Sequence, residues 1–174
     1  MAYDRPVSVV AVQRVRPPED GDEKQTLTIL LDFLRATVVN KVAGLDEEQA
    51  NRRAVRSSQL TAAGLVRHLT GVERFWFSID FAGLDVAWPW TDEDPHGAFR
   101  PDEGEKLADI VAAYQEECQR SREVTAAASL DDRARSDGMN FTLRYALAHM
   151  IEETSRHCGH LDMIREAIDG QRGE

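Results

Sequence analysis

Between residues 149 and 160 the chain reads "HMIEETSRHCGH", three histidines and two glutamates within three turns of helix. Imidazole nitrogens and carboxylate oxygens are proton carriers and metal ligands, so their direction decides whether the stretch is a solvated face or half of a site. Each helical residue advances about 100° around the axis. Leu143, Leu147, Met150, Leu161, Ile164 and Ile168 mark the apolar face, and His157, seven residues after Met150 and four before Leu161, falls within it. Glu153 lies one turn earlier, offset by about 40°, and His160 one turn later at the same edge. His149 turns further toward solvent. A second histidine, His68 in "LVRHLTGVERFW", stands three residues after Leu65 and four before Val72, so it also faces the interior.

An unpartnered polar group in an apolar interior costs about 1–3 kcal/mol. His68 and His157 therefore either hydrogen-bond their neighbours, with Glu153 as acceptor, or converge on a metal. Two histidines and one carboxylate, with a coordination position left for a further group, is the donor pattern of catalytic zinc. Two other metal patterns fail. Paired Glu-x-x-His motifs of a di-iron bundle are absent, since Arg156 and Ser155 occupy those places, and no His-Glu-x-x-His occurs. Cys158 is turned about 100° from His157 and reads as a small buried residue. Trp76, Trp88, Trp90 and Phe99 are candidates for walls of a substrate pocket, against simple packing for Trp76 above all.

Four long amphipathic segments position these residues. Leu27, Leu30, Leu31, Leu34, Val38 and Val42 recur at helical spacing between about 22 and 43. Asp46 and Gln49 form a capping-box pattern for a short helix. A helix is expected from about 61 to 81, another from Asp102 with Glu105 as capping partner, and a fourth from about 141 to 168 with Gly170 past its end. "GLDVAWPWTDEDPHGAFRP" (83–101) is a long loop, a length that in compact domains is often functional. Residues 1–22 read as an N-terminal arm over the domain or a partner subunit, and 23–174 as one all-α domain, a four-helix bundle. The 174-residue length suits one domain.

A net charge of −10 argues against a nucleic-acid partner. No stretch is long and apolar enough for a bilayer. Two cysteines without a CxxC pair fit a reduced, cytoplasmic setting. The arm and the Trp-containing loop offer apolar surface that a homodimer would cover.

"GLVRHLTGVERFWF" and "LAHMIEETSRHCGHLDMIREAIDG" together resemble the DinB-like superfamily, in its actinobacterial branch, over nearly the whole chain after the arm. The resemblance implies a bundle of up-down-down-up topology and a divalent metal, zinc or nickel, on three side chains. The superfamily's usual pattern is one histidine and then a His-x-x-x-His pair. Glu153 stands at the first place of that pair, which is similar to the N-terminal domain of mycothiol-dependent maleylpyruvate isomerase. The ligands implied are His68, Glu153 and His157, with His160 beside them to orient a ligand. The implied activity is metal-assisted activation of a small thiol such as mycothiol for transfer to, or isomerisation of, a small electrophile. A metal-dependent hydrolase and a non-catalytic, stress-associated metal-binding bundle are the alternatives.

Overall fold

Asp22 accepts a hydrogen bond from the Gln25 amide at 2.8 Å and starts α1 (Glu23–Val42). Glu23 in its first turn and Lys41 in its last suit the helix dipole. The Asp46–Gln49 capping box forms in both directions and starts α2 (Glu47–Asn51). Thr61 caps α3 (Ala62–Glu73) through the Gly64 amide, Lys106 precedes α4 (Leu107–Ala126), and Thr142 caps α5 (Leu143–Asp169). Gly170 ends α5 in the left-handed region, at φ 78°. This computed structural model describes residues 8–173, so arm residues 1–7 and Glu174 lie outside the described residues. Among the described residues the chain is all-helical, with no strand beyond one isolated bridge, Arg133 to Thr142. No described helix is long and apolar enough to cross a membrane.

Two expectations about helices need correction. The regular helix expected over 61–81 changes at Arg74 into a π-helix that runs to Phe81. Its wider turns fan out a crowded aromatic segment. Phe75 goes to the long loop, Trp76 to α5, and Phe77 and Phe81 into the core. The helix expected from Asp102 begins five residues later, at Leu107. Glu105 does bond the Asp102 amide, at 2.9 Å. Gly104 at φ 81° breaks the turn, however, and Arg67 draws both acidic side chains toward α3. The Leu107 amide is capped instead by the Glu47 carboxylate of α2, at 3.1 and 3.2 Å.

The long helices pack chiefly as α1 with α5 and α3 with α4. Ion pairs and hydrogen bonds fix their directions. Glu23 meets Arg144 near the starts of α1 and α5, and Arg165 bonds the Lys41 and Ala43 carbonyls near their ends, so these two run the same way. Arg67 meets Glu105 and Arg74 meets Glu117, so α3 and α4 also run together. His68 meets Glu153 and His157 while Trp76 meets Phe141 and Tyr145, so α3 opposes α5. Two apolar clusters fill the interior. One holds Val38, Leu65, Leu69, Ile110 and Leu161, the other Leu31, Phe77, Phe81, Leu147 and Met150. On α1 the change of cluster falls at Arg35, whose buried guanidinium binds both oxygens of the fully buried Glu73 at 2.7 and 2.6 Å.

The described part of the arm lies along α1. The Asn40 amide bonds the backbone of Val12 in both directions, at 2.7 and 2.9 Å, and Arg14 and Arg16 lie over the Phe33 ring.

Candidate metal centre

The apolar faces of α3 and α5 meet, and the polar residues at their seam are the ones the sequence singles out. Leu65 and Leu69 bury one side of α3, leaving His68 at the contact. Met150 and Leu161 bury one side of α5, leaving Glu153 and His157. One carboxylate oxygen, Glu153 Oε1, lies 3.4 Å from His68 Nε2 and 3.0 Å from His157 Nε2. One ligand atom from each of the three residues lies within 4.8 Å of the others. Tetrahedral ligands at the usual zinc distances stand about 3.3 Å from one another. The donor set therefore fits a divalent ion in spacing as well as in kind.

Electrostatics favour the ligand form. Burial, helped by the neighbouring His157, pushes His68 down to about 4 against the opposing pull of Glu153. Burial also lowers His157, the Glu153 charge opposing it. Burial alone would raise Glu153, but the two histidines outweigh it and hold the carboxyl below its usual range. Near neutral pH the group is thus two neutral imidazoles and one carboxylate, the protonation state that ligation requires. Arg156 stands 3.5 Å from the other carboxylate oxygen, Oε2, leaving Oε1 to the histidines.

His160 Nδ1 lies 3.2 Å from His157 Nδ1. Against the Glu153 carboxylate, which can only accept, a neutral His157 donates from Nε2 and accepts at Nδ1; with a metal on Nε2 the bond would reverse, His157 Nδ1 donating to His160. Phe99 stacks on His68, ring centroids 3.8 Å apart and planes 13° from parallel, and stands 6.1 Å from His157. Of the four aromatic residues expected around a pocket, Phe99 alone touches the triad among the described ring contacts. Trp88 and Trp90 pack on Phe75, and Trp76 packs on Phe141 and His149. His149 is accordingly half-buried against Trp76 rather than free in solvent. Both cysteines are buried, and burial pushes Cys158 up to about 12 and Cys118 well above the usual thiol range. Neither is a nucleophile at neutral pH.

Sequence periodicity identifies the triad but not the Phe99 stack or the Arg156 contact, which depend on how a long loop and an exposed side chain settle. One signal was present: Gly64 and Gly71 flank His68 on its own face of α3, and glycine inside a helix often marks a close backbone approach.

No curated protein matches the chain at a significant level. Residues 26–170, which hold nearly all of the helices and the whole triad, match a family described as mycothiol-S-transferase, a DinB-like family, so the chain belongs to the mycothiol-S-transferase family.

Proposed function

We propose that the chain is a transferase that joins a small thiol of the mycothiol kind to a small electrophile at a divalent-metal centre held by His68, Glu153 and His157. The observation that carries this is the convergence of two imidazole Nε2 atoms on one carboxylate oxygen within a family described by mycothiol transfer. His68, Glu153 and His157 would hold such an ion, zinc or nickel, whose positive charge would lower a thiol's pKa from its ordinary value near 8.5. The protein residues do the rest. His68 and His157 stay neutral, Glu153 contributes the single negative charge, and His160 holds His157 in the required tautomer. The thiol gives up its proton to solvent and its sulfur bonds the electrophilic carbon. A leaving group departs, or an unsaturated acceptor takes a proton at the adjacent carbon. The helix directions described above support the up-down-down-up bundle of the DinB-like families, and a reduced cytoplasmic compartment suits a thiol substrate.

Elemental analysis tests the centre. The parent protein should carry one divalent ion per chain, and His68→Ala and His157→Ala should each lose it. Full occupancy in both variants would overturn the assignment. Mycothiol with a panel of small electrophiles tests the reaction, because adduct formation should require both the thiol and the ion.

A further inference from the structure

The loop between α3 and α4 does not merely connect them. It lies down on α3 at three places on one face. Gly71 faces Pro89, where a Cβ would come within 2.8 Å of the proline Cβ. Arg67 donates to the Gly97 carbonyl at 3.2 Å and pairs with Asp102 and Glu105. Gly64 faces Phe99, where a Cβ would come within 2.1 Å of the Phe99 carbonyl oxygen. Positions 64, 67–68 and 71 share one face of an α-helix. His68 thus stands between two positions that lack side chains, Gly64 and Gly71, and the loop uses that space. The short 3₁₀ turn Gly97–Phe99 then sets the Phe99 ring flat against the His68 imidazole.

We propose that Phe99, seated by the missing side chain of Gly64, is the residue that limits the bulk of whatever group joins the His68–Glu153–His157 centre. The inference rests on the metal reading above. A ring stacked on one ligand and 6.1 Å from a second walls the space beside their donor atoms. Its distance from the centre is set by a backbone contact rather than by a flexible side chain. A methyl group at Gly64 meets a carbonyl oxygen at 2.1 Å, far inside ordinary contact, so α3 and the turn must separate and the Phe99 ring shifts relative to His68. A wall of this kind discriminates by size, and hydrophobic walls separate ligands by roughly 10- to 200-fold.

Cobalt(II)-loaded protein, titrated with imidazole and with 4-phenylimidazole and followed by its visible absorption, tests the wall without any thiol. In the parent, imidazole should bind much the tighter. In Phe99→Ala, imidazole affinity should hold while 4-phenylimidazole gains roughly tenfold or more. An unchanged ratio overturns the wall. Failure of the parent to take up cobalt overturns the metal reading instead, so the two failures are distinct. The seat is tested in metal-free protein by the His68 ring-proton resonances, which the stacked Phe99 ring displaces upfield. Phe99→Ala should abolish the displacement and Gly64→Ala should reduce it strongly. A parent-like resonance in folded Gly64→Ala overturns the seat. Phe99→Ala leaves the α3 surface intact, so the wall is tested whether or not Gly64→Ala folds.

Discussion

In the proposed metal centre a carboxylate at Glu153, where an all-histidine centre has an imidazole, would add one negative charge beside the ion and make it a weaker Lewis acid. A thiol needs little help to ionise near neutral pH, whereas water starts far higher, so such a centre would suit a thiol better than water. Glu153→His should keep the metal and shift activity toward hydrolysis. X-ray absorption on the parent with saturating mycothiol should show sulfur in the metal's shell. A shell of nitrogen and oxygen only would rule out thiol activation. The same residues set a pH dependence in the metal-free protein. Folded His68 takes up its proton near pH 4, but the unfolded chain takes it up near 6.5. Between those values the unfolded state binds the extra proton, so stability falls as pH drops from about 6.5 toward 4 and this contribution then levels off. The loss from His68 is on the order of 3 kcal/mol at about 1.4 kcal/mol per pKa unit. His157 acts in the same direction. Denaturant unfolding at pH 7 and pH 4.5 measures the difference, and His68→Gln should shrink it. The directions of His68, Glu153 and His157 were legible in the sequence because helical periodicity is a local property. The contact between His160 and His157 was legible only as a neighbourhood, since the facing nitrogens depend on rotamers.

Helix existence was legible and helix ends less so. Asp46 with Gln49, and Gly170, are start and stop signals satisfied within a few residues of themselves. The start of α4 was misread because its first amide is capped by Glu47, sixty positions away. Glu47→Ala should cost about 1 kcal/mol, the usual worth of an N-cap, in urea unfolding. The Arg35–Glu73 pair was also missed, since an arginine in an apolar stripe reads as a flaw until its partner is seen. Arg35→Ala leaves Glu73 buried and unpaired, so it should cost roughly 3–5 kcal/mol. Replacing both with apolar residues, Arg35→Met with Glu73→Leu, should recover most of that loss. A double variant as unstable as the single would show that the charges themselves, rather than the filled volume, hold α1 to α3.

At the scale of the whole molecule, Val10, Val15, Leu84 and Trp88 expose apolar surface on the arm and the long loop. A homodimer would cover such surface, and sedimentation at micromolar concentration should find one. A monomer alone would count against it. The pairing of α1 with α5 has a further consequence during synthesis. Contacts between them join positions 121 to 124 residues apart. At about 5–20 residues per second, roughly 6 to 24 seconds separate the emergence of α1 from that of its partner. Meanwhile α3 and α4 can close on each other, but the face of α1 that α5 covers stays open on the nascent chain. Slow codons placed between α4 and α5 should therefore lengthen chaperone occupancy and raise the aggregated fraction, whereas the same codons placed after α5 should not.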